Sequence, residues 1–270
     1  MAASTELTAA GIPVPGRLWD RAFGYWLASY RRVWRGSVFE GFVQPLFFLA
    51  ALGFGLGALV DARQGGVDGV SYVQFIAPGI LAAQAMQTAF GEATYPVLGS
   101  IKWQRQYHAM LAAPLQISDI VLGHLVFVLL RVTITTVAFL AVSWLLGTIP
   151  SPWAVLALPV AVLCGMAYAT PIFAFAARQD DANGFALLFR FGFMPMFLFS
   201  GTFFPVDQLP GWLQPLTWLT PLWHGVELCR ALSMGTPTLG ATTLHVGYLL
   251  AWMVGGYFLA VRSLRRRLVV

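Results

Sequence analysis

Three residues charged at neutral pH fall inside long apolar runs of this sequence: Glu92, Arg131 and Arg190. An ionised side chain in hydrocarbon costs about 2.5–3.5 kcal/mol or more, so such groups face a bundle interior, pair with one another or mark a pathway. Glu92 lies about six and Arg190 about five residues from the same end of their runs, so at ~1.5 Å per residue they reach similar depth. The expectation is an ion pair between Glu92 and Arg190. Arg131, deeper in its run, is the alternative partner, and both arginines can instead snorkel to headgroups.

Other reactive groups are scattered. The four histidines are His108, His124, His224 and His245. None stands in a His-Glu-x-x-His or Cys-x-x-Cys spacing, so no metal site is expected. His108 and His224 are expected to be exposed, and His124 and His245 to lie near span ends. Cys164 and Cys229 fall in different segments and imply neither a disulfide framework nor a metal. A phosphate-binding loop needs Gly-x4-Gly-Lys-Ser/Thr. The only lysine, Lys102, is followed by Trp103 and cannot complete one. No catalytic group is expected, and this chain should not hydrolyse ATP alone.

The elements that must position these residues are membrane helices. The 270 residues are 58% hydrophobic and 10% charged, whereas soluble domains carry about 25% charged residues. Too little polar surface remains to cover a water-soluble body, so the fold class is an all-α polytopic membrane protein. Six transmembrane helices are expected, over residues 42–60, 72–98, 120–146, 153–177, 185–204 and 244–261. Gly53 and Gly57, four apart, would let a second helix approach the first span. Residues 1–16 read as a flexible N-terminal tail without a signal peptide, and 17–270 as one domain.

Three stretches outside the spans stand out. Residues 17–35 place Trp19, Trp26, Arg21, Arg31 and Arg32 on one amphipathic pattern, that of a helix lying flat in the headgroup layer; a helix packed on a core is the alternative. Residues 99–114 form a polar island between apolar runs, with Lys102, Trp103, Arg105, Gln106, Tyr107 and His108. It must lie outside the bilayer, and it reads as a helix that docks a separate protein supplying force. Residues 205–239 are rich in tryptophan and proline, including Pro205, Trp212 and Pro221. Two pieces too short to cross, broken at Pro221, read as a re-entrant helical hairpin. Glu227 and Arg230, three apart, can pair there.

Twelve of the sixteen basic residues flank the spans on one side, including both termini, the polar island and the Arg178 loop. Only Arg63 and Arg230 flank the other. Positive flanks face the cytoplasm, so both termini are expected inside and the hairpin outside. This distribution explains the basic balance without a nucleic-acid partner.

The motifs occur in a familiar order. Tyr72-Val-Gln-Phe-Ile-Ala-Pro-Gly79 opens span two, and Glu92-Ala-Thr-Tyr95 follows. Leu111-Ala-Ala-Pro114 closes the island, and Arg178-Gln-Asp-Asp-Ala-Asn183 follows span four. Ser200-Gly-Thr-Phe-Phe-Pro205, Leu209-Pro-Gly-Trp-Leu-Gln-Pro215 and Pro221-Leu-Trp-His-Gly-Val-Glu227 complete the set. From about residue 19 to 262 the chain resembles the membrane subunit of type-2 ABC exporters, the kind that includes nodulation-factor and daunorubicin export permeases. The resemblance implies a connecting helix at 17–35, a cytoplasmic coupling helix at 99–114 and re-entrant helices at 205–239. It also implies a bacterial inner-membrane location, a second permease subunit in a homodimer or heterodimer, and two ATPase subunits that bind ATP and Mg. No cofactor is expected on this chain.

The substrate is expected to be hydrophobic or amphipathic, drug or lipid-like, because span five is rich in phenylalanine; a lipid-linked glycan is the alternative. Two other function classes fit the sequence less well. An ion-coupled transporter would want a mid-membrane carboxylate, and only off-centre Glu92 is available. An intramembrane lipid enzyme would want convergent His, Asp, Glu, Ser or Cys groups, and none converge in the sequence.

Overall fold

A computed structural model describes residues 18–67, 69–148 and 151–269. The tail expected at 1–16, together with Arg17, lies outside the described residues. Among the described residues the regular elements are all helical.

Helix α1 (Trp19–Tyr30) buries Ala22, Trp26 and Tyr30, a stripe spaced four residues apart. That stripe packs on α6 (Ile117–Leu145), so Trp26 is a core residue. Arg21, Gly24 and Tyr25 occupy the exposed face. The expected helix over 17–35 stops early: Arg31 and Arg32 lie in a turn, and a new helix starts at Trp34. This is α2 (Trp34–Arg63), which runs through a π-helical stretch at Ala51–Gly57. A Cβ at Gly53 would meet Val73 Cγ2 at 2.9 Å, so the bulged glycines let α2 approach α3 (Tyr72–Ala93).

Ser71 and Gln74 form a capping box that starts α3. The helix stops at Thr94 and resumes as α4 (Tyr95–Lys102). Pro96, in the first turn of α4, has no backbone N–H to donate back into α3. The Thr94 hydroxyl donates to the Phe90 carbonyl at 2.9 Å, satisfying one acceptor at the break. The polar island is therefore not one helix. It is the end of α4, a break at Trp103–Arg105, and the single turn-and-a-half of α5 (Gln106–Leu111).

Helix α7 (Ala157–Ala176) is the centre of the bundle, packed on α3, α6, α10 (Pro221–Met234) and α11 (Leu239–Leu268). Close approach explains the small residues along it. A Cβ at Gly165 would meet the Ala85 carbonyl oxygen of α3 at 2.9 Å. Helix α8 (Asn183–Phe199) carries a second π-helical stretch at Leu188–Phe193. Before α10 comes α9 (Gln214–Trp218), so two short helices stand in the stretch expected to hold them. Pro221 opens α10 rather than breaking it, with the Thr220 hydroxyl accepting from Trp223 N at 3.3 Å.

Four helices of the described residues are long and apolar enough to cross a membrane: α2, α6, α7 with its lead-in from Trp153, and α11. The other two expected runs are also helical. Helix α3 falls outside that set, with Gln74, Gln84, Gln87 and Glu92 along it, and α8 is short.

Candidate functional site: a polar end and a buried charge pair

The polar island, the loop after α7 and the last turns of α11 meet at one end of the bundle. Lys102 Nζ donates to the Asp180 carbonyl oxygen. Asp180 Oδ1 pairs with Arg267 Nη2 at 2.6 Å, and Arg178 Nε donates to Ser263 Oγ at 2.9 Å. The Arg267 guanidinium holds the Asp180 carboxyl below its ordinary value.

Tyr107 is the anchor of this end. It was expected among the docking residues, but it is fully buried. Its hydroxyl lies 2.5 Å from His124 Nδ1 of α6, and its ring lies against Phe173 of α7. Burial pushes the phenol well above its ordinary range. It therefore stays protonated, and the His124 tautomer sets which of the two atoms donates. His124 in turn stacks on Trp26 of α1 with centroids 4.2 Å apart. One side chain thus ties the island to α1, α6 and α7. Burying an aromatic of this size stabilises by about 1.5–3 kcal/mol, which a loose surface loop would not have.

The rest of the island divides. Gln106 turns back, with Nε2 donating to Gln104 Oε1 and Oε1 lying 3.4 Å from Ser100 Oγ. Lys102, Trp103, Arg105 and His108 are exposed, Trp103 by 65%. Arg105 holds φ at 51°, a left-handed conformation rare outside glycine, and so presents its side chain at a sharp corner.

Inside the membrane the ion pair is not the expected one. Glu92 Oε1 accepts from Arg131 Nε at 2.7 Å. Both side chains are mostly buried, and the guanidinium lies over the Tyr30 ring at 4.9 Å. Arg190 is exposed on the π-helical part of α8, away from this pair. Depth along the chain was a poor guide because partner choice depends on which helices touch. Helix α3 packs on α6, where Arg131 lies. Around the pair, α2, α3 and α6 enclose a polar cavity of about 240 Å³ lined by Gln44, Gln84, Gln87 and Thr88, among others. The sequence reading did not single out these glutamines, although the recurrence of Gln84 and Gln87 on one hydrophobic helix was visible.

Arg230 organises the opposite side of the molecule. Nη1 donates to Glu227 Oε1 at 2.9 Å and Nη2 to the Gly201 carbonyl at 2.6 Å. Its guanidinium lies 4.0 Å over the Phe75 ring of α3. It thus fastens the hairpin to the loop after α8 and to α3. Pro205 is half-buried in that loop and Trp212 is exposed. His224 is buried, not exposed as expected, with Nδ1 2.8 Å from His245 Nδ1 of α11. Groups of three or more metal-ligating residues are absent among the described residues.

A bundle of apolar helices with a polar cavity beside a buried ion pair and one charged, firmly anchored end is the build of a membrane transport subunit. The ABC-2 type transporter family matches residues 23–234, and the chain belongs to that family. It is 33% identical to nodulation protein J of Rhizobium meliloti over 264 residues, 98% of this chain and 99% of that protein. It is 24% identical to the inner membrane transport permease YadH of Escherichia coli over 262 residues, 90% of this chain and 96% of that one. The chain is thus the membrane permease subunit of an ABC exporter, a transport component rather than an enzyme.

Proposed function

We propose that this subunit exports a hydrophobic or amphipathic, drug or lipid-like molecule across a bacterial inner membrane, driven by two copies of a separate ATPase that bind the ATP and Mg. A second permease subunit completes the pore. Both termini and the polar island face the cytoplasm, and the α9–α10 hairpin faces outward as a re-entrant element.

The observation that carries this reading is the build of the island. Trp103, Arg105 and His108 are exposed on a segment whose next residue inward, Tyr107, is locked into α6 and α7 and reaches α1 through His124 stacked on Trp26. A partner gripping those side chains would move α1, α6 and α7 together, rather than bend a loop. Lys102 has a second duty, since its amine already holds the Asp180 loop. The charge bias of the flanks supports the inward placement of this end.

The test is co-expression with the ATPase of the same transport system. The two should co-purify, and Arg105→Glu with Trp103→Ala should abolish nucleotide-dependent transport without changing the amount of folded permease. Unchanged coupling, or labelling of residue 103 by a membrane-impermeant reagent from outside the cell, would overturn the docking reading. Transport that follows an imposed pH gradient without any ATPase would favour the ion-coupled alternative instead.

A further inference from the structure

We infer that the corner between α1 and α2 is a binding site for an anionic phospholipid, held by Arg31, Arg32 and Arg35 with Trp34 beside them. This goes beyond the export function proposed above and needs only that α2 crosses the membrane. The corner then stands at headgroup depth. Helix α2 has 30 residues, which at ~1.5 Å per residue extend about 45 Å. Hydrocarbon takes up about 30 Å of a bilayer, and both headgroup layers bring it to about 40–45 Å. Trp34 and Arg35, in the first turn of α2, therefore lie among headgroups, and Arg31 and Arg32 precede them in the turn that leads in. Asp61 and Arg63 close α2 at the opposite headgroup layer.

The corner carries uncompensated charge. Three arginines fall within five residues, and all three are exposed. The ion pairs among the described residues are Glu92–Arg131, Glu227–Arg230 and Asp180–Arg267, and none of them uses Arg31, Arg32 or Arg35. Between these arginines Val33 is 61% and Trp34 46% exposed. Exposed apolar side chains among cations do not suit water. They suit the boundary where acyl chains meet headgroups. The Arg35 guanidinium carbon lies 5.8 Å from the Trp34 ring centroid. Phosphate-binding donors and an acyl-facing ring thus stand side by side.

The corner is also held in place. Tyr30, the residue before Arg31, is buried, and its ring meets Phe127 of α6 edge-on at 5.9 Å. The arginines are presented from a fixed base rather than from a loose tail. A guanidinium offers two parallel N–H donors that match phosphate oxygens. Every phospholipid has that phosphodiester, but a choline or ethanolamine head adds an ammonium, which three guanidinium groups repel. A phosphoglycerol head lacks the ammonium and is the match. Each arginine at the membrane surface enriches such a lipid by about fivefold.

The test uses the full-length protein in phosphatidylcholine liposomes. Ser29→Cys carries a fluorophore on the exposed face of the last turn of α1. Cys164 and Cys229 are buried and stay unlabelled. Quenching by phosphatidylglycerol with a doxyl label on its acyl chain is compared with quenching by phosphatidylcholine carrying the same chain. Half-quenching should need at least about fivefold less of the phosphatidylglycerol. That preference should fall below about twofold in Arg31→Gln/Arg32→Gln/Arg35→Gln, and likewise at about 1 M NaCl, where the Debye length is only about 3 Å. The salt measurement keeps all three arginines and is read by itself if the triple variant fails to insert. Equal quenching by the two lipids, or a preference that survives either the substitutions or the salt, overturns the assignment. So does an equal loss in Arg262→Gln/Arg265→Gln/Arg266→Gln, which would make the net charge of the membrane face the attractor rather than this corner. No ATPase is present, so this measurement and the docking test fail separately.

Discussion

Removing either member of the Glu92–Arg131 pair should destabilise the bundle, and removing both should restore most of the loss. At 2.7 Å the pair's Coulomb attraction is worth ~6 kcal/mol at an effective dielectric of ~20. Desolvation offsets much of that, so the intact pair contributes little net stability. A single substitution is different, because it leaves one buried charge without its partner. That costs about 3–5 kcal/mol. Glu92→Gln should sit at the low end, since its amide oxygen still accepts from Arg131 Nε. Arg131→Gln should sit higher, because it strands the carboxylate and removes the cation over Tyr30. The double variant Glu92→Gln/Arg131→Gln keeps a neutral hydrogen bond and should lose only about 1 kcal/mol. The double-mutant cycle, read by SDS-induced unfolding in mixed micelles, should therefore give a coupling of about 5 kcal/mol or more. A coupling below ~0.5 kcal/mol would refute the pairing. So would an equally large coupling between Glu92→Gln and Arg190→Gln.

Three further outcomes are expected. Gly123→Ala should dislodge α1, because the added Cβ would lie 2.6 Å from Ala22 Cβ and 2.7 Å from the Trp19 carbonyl oxygen; Trp26 fluorescence, isolated in a variant lacking the other tryptophans, should shift red, and an unmoved spectrum refutes the contact. Tyr107→Phe should cost about 1–2 kcal/mol by leaving His124 Nδ1 unpaired in a buried site, with transport impaired beyond the loss of folded protein; equal transport per folded molecule contradicts the anchor role. The Asp180–Arg267 contact should be pH-dependent. The Asp180 carboxyl lies below its ordinary value of 3.8, so the contact is complete above that value and is lost as pH falls through the lowered one. Spin labels at Gln179 and Arg266 should report a narrow distance distribution at neutral pH that broadens only in strong acid; broadening near pH 6 would assign control to another group.

Composition and the spacing of apolar runs were enough to establish a polytopic helical membrane protein. Hydrocarbon forces this, because a backbone there must satisfy its own hydrogen bonds, and runs of 20 or so apolar residues leave only the helix. The two short helices between residues 205 and 239 were legible as well, although Pro221 starts the second of them rather than breaking it. The absence of a phosphate loop could also be read directly from Lys102 and Trp103.

Partner choice was not legible. Glu92 faces Arg131 rather than Arg190 because α3 packs on α6, and that follows from the fit of small residues such as Gly165 around α7. Tyr107 looked like one more polar residue of an exposed island, yet the break at Trp103–Arg105 turns it into the core. His224 likewise looked exposed until α10 met α11 at His245. In each case a local pattern states what a residue needs, a buried partner or water. Only the tertiary packing supplies the neighbour that meets the need, because contacts between distant helices depend on shape along the whole length of both.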